Sequence, residues 1–176
     1  MTITIDDLRV QQFKDVAPGQ FFIAQIGSLA FYCLRGVEVV GGANQATAAA
    51  LGQAMVGSSA PLPPELPFGL FGQAIIPPDG IVGTLGALRL APDLRTMMSV
   101  SDANALTPGA LFMREGGDCF TNFLGPSAVM RFVNVKDGKT SSAAPTGAFV
   151  VFANWSVVLE RTSHFSTAFT VTTAVI

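Results

Sequence analysis

His164, Cys33, Cys119 and a few carboxylates are the residues whose types could do chemistry in this sequence, and their surroundings decide which chemistry is open to them. A cysteine–histidine nucleophile needs a thiolate held beside the imidazole. Cys33 closes the run FFIAQIGSLAFYC and Cys119 opens CFTNFL, both apolar stretches, where burial raises a thiol pKa and leaves the group inert. His164 falls in an alternating stretch and reads as a residue of its polar face. A zinc site wants several His or Cys at close spacing. One histidine and two distant cysteines supply no such set.

Two carboxylates flanking a substrate could hydrolyse a glycoside. Asp6 adjoins Asp7, and Glu115 and Asp118 flank Gly116-Gly117 at an expected hairpin tip, where contact with water explains them better. GLFGQA and GTLGAL lack the Lys-Ser/Thr ending of a phosphate loop, and no Gly-x-Ser-x-Gly elbow occurs. Gly41 and Gly42 precede an alanine-rich stretch, a weak anion-site pattern. Trp155 and Tyr32 stand alone among 14 phenylalanines, so the aromatic content reads as core and dry contact surface. The expectation is a chain that is not an enzyme, with no catalytic, metal or cofactor-binding residues and no cofactor.

The elements that must position these residues are mostly strands. APGQFFIAQIGSLAFYCL (17–34) and TPGALFMREGGDCFTNFL (107–124) share a Pro-Gly corner, a Phe, a Gly and a closing Leu at the same spacing. Proline fixes φ near −65° and glycine accepts positive φ, which suits a type II turn delivering the chain into a strand. Hairpins are expected over 20–25 and 29–35, and over 110–115 and 119–124, with a weaker third copy over 148–153 and 156–161 linked at Asn154-Trp155. Alternation predicts a strand over 129–135 ending at Asp137-Gly138, and another at the C-terminus with Phe165, Phe169 and Val171 on its aromatic face.

Residues 42–92 interrupt this pattern. The alanine content of 43–55 predicts a short helix. Residues 57–80 are rich in proline and glycine, yet carry Leu62, Leu66, Phe68, Leu70, Phe71, Ile75 and Ile76. Such a segment is too apolar for a solvated linker, and is expected to be an arm lying on the surface of its own chain or of a neighbour. The fold class expected is a mainly β single domain over 1–176. It is a barrel or sandwich of pseudo-repeated hairpins (about 8–40 and 98–135) with a Pro/Gly-rich apolar arm and little helix.

Charged residues make up 12% of the chain, against about 25% in ordinary soluble domains. Mean hydropathy is +0.49. No apolar run reaches the ~18 residues a membrane helix needs, and MTITIDDLRVQQ offers no secretory leader. Net charge is −2 with no basic stripe, which removes the electrostatic source of nucleic-acid binding. With membrane and nucleic acid set aside, so little charge predicts a surface covered by neighbours.

The expected function is therefore a structural subunit of a large assembly, of the kind found in bacteriophage virions as capsid decoration or tail-associated proteins. Copies of itself and other structural subunits would be its partners, and the virion its location. Leu62, Leu66, Phe68, Leu70, Phe71, Ile75, Ile76, Phe165, Phe169 and Val171 are the expected interface residues. The alternative is an oligomeric β-barrel binding module holding a small apolar or carbohydrate ligand under the 57–80 segment.

Overall fold

The computed structural model describes residues 8–53, 63–86, 88–160 and 165–172. In chain order the strands are Leu8–Gln12 (β1), Phe21–Ile26 (β2), Leu29–Val40 (β3), Ala43–Gln53 (β4), Ile81–Leu85 (β5), Leu88–Pro92 (β6), Met97–Val100 (β7), Leu111–Arg114 (β8), Cys119–Leu124 (β9), Met130–Asn134 (β10), Lys139–Ser141 (β11), Phe149–Phe152 (β12), Asn154–Glu160 (β13) and Phe165–Thr172 (β14). Strand takes up 56% of the described residues, and among them helical structure is confined to short 3-10 turns. The fold is mainly β.

Both Pro-Gly corners form as the residue chemistry dictates. Gly19 (φ +81°) and Gly109 (φ +88°) take the left-handed conformation that a side chain would resist. Gln20 N–H donates to Ala17 O at 3.1 Å, and Ala110 N–H to Thr107 O at 3.3 Å, closing the two turns. Each corner then opens a hairpin: β2 pairs with β3 antiparallel across Gly27-Ser28, and β8 with β9 across residues 115–118. Gly19 N–H donates to Arg35 O and Gly109 N–H to Asn122 O, each at 2.8 Å. A 3-10 turn precedes each corner, at Phe13–Asp15 and Ala103–Ala105.

Three expectations are corrected. Residues 43–53 are strand, not helix: Gly41 (φ +58°) and Gly42 (φ +82°) form a two-residue turn, and β4 pairs with β3 from Val40↔Ala43 to Phe31↔Gln53. A partner strand that offers ten paired positions outweighs the helix propensity of alanine. The third hairpin does not exist either. Ala153 breaks the chain between β12, which pairs with β7 and β8, and β13, which pairs with β6 and β14. Finally, the sheets do not close into a barrel.

An 11-stranded sheet runs β1-β5-β2-β3-β11-β10-β9-β8-β12-β7, with β4 on β3 off this path, so β1 and β7 are its ends. Strand β3 is the joint: Leu29–Leu34 pair with β2, while Val37 and Glu38 pair with β11 in parallel. The small sheet runs β14-β13-β6. One core cluster joins Trp155, Val157, Phe169 and Val171 of the small sheet to Phe21, Tyr32, Leu34, Leu111, Phe123 and Val133 of the large one. The Phe169 ring stacks on Tyr32 with centroids 4.5 Å apart. Two further clusters lie under the turns at Phe13 and Ala103, built around Phe22 and Phe112.

The described part of the arm, 63–80, lies on its own chain. Leu66 and Ala74 are buried with Phe22, Phe31 and Ala48. Its backbone is stitched between β4 and β9: Phe71 N–H donates to Ala50 O, Ala50 N–H to Gly72 O, Ala74 N–H to Ala48 O, Gln73 N–H to Leu124 O and Leu124 N–H to Phe71 O, all at 2.7–2.9 Å. The small alanine side chains of β4 let this segment approach, which gives those residues a packing role in place of a helical one.

Candidate interaction surfaces

The residues with chemical potential are placed where they do little. Cys33 and Cys119 are free thiols on β3 and β9. Complete burial raises the Cys33 pKa well above its ordinary range, and burial pushes Cys119 up to about 11. His164 lies outside the described residues. Asp118 accepts from Arg114 through both Nε (2.8 Å) and Nη2. Glu115 sits exposed on the hairpin loop. Gly41 and Gly42 cap a hairpin, so no helix N-terminus follows them and the anion-site pattern lapses. Among the described residues no group of three or more His, Cys, Asp and Glu is placed to hold a metal ion, and no helix is long and apolar enough to cross a membrane.

Two surface clefts frame the hairpin β8–β9. The first, about 360 Å³, has Arg114, Asp118, Phe120, Asp137 and Lys139 around its mouth. Its charges are satisfied locally, because Lys139 Nζ also lies 3.1 Å from Asp137. Phe120 offers no open face for a sugar, since Phe112 stacks 5.5 Å away and the Arg114 guanidinium lies 5.6 Å from its centroid. The second cleft, about 500 Å³, is apolar, with Met113, Phe149, Val150 and Phe152 among its lining. Beside the 63–80 segment the cleft between Gln25, Glu65, Ile75, Ile76 and Ile81 measures only about 220 Å³.

The expected interface residues divide. Leu66, Phe169 and Val171 are buried in their own chain's cores, and Phe68, Phe71 and Ile76 are half-buried. Leu70 (41% exposed) and Ile75 (59%) remain open to a neighbour. Leu62 and the side chain of Phe165 lie outside the described residues.

The residue pattern did not single out the larger exposed apolar surfaces. Beyond its contact with β11, the β3–β4 hairpin carries Val39 (67% exposed) and Val40 (45%) on opposite faces, and Ala43–Ala46 are exposed as well. Val10 and Ile81 are exposed at the β1 end of the large sheet, and Leu94, Met97 and Val150 at the β7 end. The available signal was the two-glycine turn between a valine-rich run, Val37–Val40, and an uncharged one, which marks a hairpin. Comparison with known proteins finds no matching family model, no matching curated protein and no matching solved structure.

Proposed function

We propose that this chain is a structural subunit of a large protein assembly, acting through subunit–subunit contacts, of the kind that decorates capsids or associates with tails in bacteriophage virions. The observation that carries the reading is the tip of the β3–β4 ribbon, uncharged from Val39 through Gln53, which exposes Val39 and Val40 on its two faces. A lone domain gains nothing from holding such side chains in water, whereas a neighbour that covers them gains roughly 25 cal/mol per Å² of apolar area removed from solvent.

Exposed apolar residues at both ends of the large sheet support the same reading, since sheet ends are where neighbours add strands. The two Pro-Gly hairpins, each with its own buried Phe and preceding turn, read as a duplicated unit that stiffens the wall. The virion setting rests on the small, β-rich, charge-poor character of the chain.

Sedimentation velocity over a concentration series tests this. Wild type is expected to form a defined oligomer, and Val39→Ser/Val40→Ser to shift toward monomer at unchanged melting temperature. A wild-type chain that stays monomeric at every concentration overturns the proposal.

The pocket reading has the 500 Å³ apolar cleft in its favour, a size within the usual range for small ligands. Against it stand the absence of a barrel interior and the small cleft beside the arm. A melting-temperature shift with long-chain fatty acids that is abolished by Val150→Glu would favour it.

A further inference from the structure

We infer that the outer edge of β4 at Ala43–Thr47 pairs with the same edge of a second copy of this chain, antiparallel across a two-fold axis at Gln45. This rests on the reading of the chain as an assembly subunit, and it names the partner and the contact.

In an antiparallel strand, alternate residues turn their N–H and C=O toward one neighbour and then the other. Ala48 and Ala50 turn theirs outward, because Ala48 O accepts from Ala74 N–H and Ala50 N–H donates to Gly72 O. On the other side of β3, Val37 N–H is directed to Gly138 O at 2.8 Å, so its partner Ala46 is not held by β3 at that site. Asn44 and Ala46 therefore present their backbone groups outward. The bulge in this pairing lies beyond, opposite Tyr32/Cys33, and leaves the alternation from 43 to 50 intact. By Ile75 the arm has turned away, its N–H donating to Glu65 O at 2.8 Å. Asn44, Gln45 and Ala46 are exposed, and among the described residues none pairs with their outer edge.

Exposed edges are ordinarily blunted by charge, proline or a bulge. Strand β1 carries Arg9, and β7 spans only Met97–Val100. The outer edge of β4 has no such protection from Ala43 to Thr47, and the sequence has no charged residue between Glu38 and Glu65. A two-fold axis at Gln45 favours that neutrality, because residue 45 meets its own kind across the axis and a charge there would be repelled. In the symmetric register Asn44 and Ala46 of the two copies exchange N–H···O=C bonds. Gln45 meets Gln45 at a non-hydrogen-bonded site, where Cα atoms approach to about 4.5 Å, and each amide can donate to and accept from the other.

The test uses the full chain and three variants whose melting temperatures are first matched to wild type. Gln45→Cys is expected to form a covalent dimer under mild oxidation well above the background from Cys33 and Cys119 in wild type. Asn44→Cys is expected to stay at background, since its symmetry mate lies on the diagonal, roughly 7–8 Å away, beyond comfortable disulfide reach. Gln45→Lys is expected to lose the dimer in sedimentation. If wild type assembles but Gln45→Cys does not cross-link, or Asn44→Cys cross-links equally well, or Gln45→Lys assembles unchanged, this contact is wrong while the subunit reading stands. A wild type that is monomeric throughout ends both.

Discussion

The indole Nε1–H of Trp155 donates to the backbone carbonyl of Gly109 over 2.9 Å. Trp155 belongs to the small sheet and Gly109 to the Pro-Gly corner that opens β8, so this one bond ties the two sheets at a buried point. Replacing Trp155 with Phe removes the donor, strands a buried carbonyl and leaves a void among Phe152, Phe169 and Val171. A loss of about 2–4 kcal/mol is expected, read as a lower urea midpoint at unchanged m-value. A loss below ~0.5 kcal/mol, the size of an ordinary surface change, would show that neither bond nor packing matters.

Glycines in the same conformational region differ in their surroundings, which separates backbone strain from crowding. Gly41 has φ +58° with nothing within 4 Å of a would-be Cβ, whereas a Cβ on Gly109 would enter the space of the Phe71 ring. Gly41→Ala is expected to cost about 1–2 kcal/mol from the left-handed backbone alone. Gly109→Ala adds overpacking of roughly 1–3 kcal/mol. Equal urea midpoints for the two variants would refute the crowding argument.

The same two glycine sites show how far the sequence could be read. At Pro108-Gly109 the local chemistry admits one outcome, and corner and hairpin follow from proline, glycine and the alternating apolar run. At Gly41-Gly42 the local preferences conflict, because ANQATAAALGQ favours helix by propensity while the glycine pair favours a hairpin. The deciding contacts lie outside the segment: β3 pairs with it at ten positions, and residues 71–74 bond to the backbone of Ala48 and Ala50 on its other edge. Asn154-Trp155, expected as a link between two apolar runs, instead opens β13, and the buried Trp155 anchors that strand in the core. The exposed valines were opaque for a similar reason. Alternation shows which residues share a face, and only the sheet's extent shows that Val39 and Val40 outrun their neighbours.

Glu38 and Arg131 form an ion pair at 3.1 Å with side chains 17% and 15% exposed, linking β3 to β10 across β11. Arg131 Nη1 is buried with no partner of its own, so the guanidinium depends on Glu38 for compensation. Glu38→Gln leaves that charge half-satisfied, and a loss of roughly 1–3 kcal/mol is expected, below the 3–5 of a fully buried pair because water reaches both ends. Glu38→Gln/Arg131→Met removes the stranded charge, and is expected to be more stable than Glu38→Gln alone. A double-mutant cycle measures the coupling, and a coupling energy near zero would show the pair to be incidental.

The thiols give a pH prediction whose sign follows from burial. Cys119 is held near 11 and Cys33 is raised further, both above the ~8.5 of an unfolded cysteine. A group with a raised folded pKa stabilises the fold fully below its unfolded value. That contribution is lost as pH climbs from about 8.5 toward the folded value, so urea midpoints should fall between pH 8.5 and 11. At pH 8 a thiol near 11 is only about one part in a thousand thiolate, against roughly a quarter for a free one, so iodoacetamide should modify Cys119 some hundreds of times more slowly than a free cysteine. Cys33 should react only through unfolding, on the timescale at which urea accelerates it. Mass spectrometry of labelled peptides distinguishes the two sites, and Cys33 reacting as fast as free cysteine in the folded chain would contradict its place between β2 and β4.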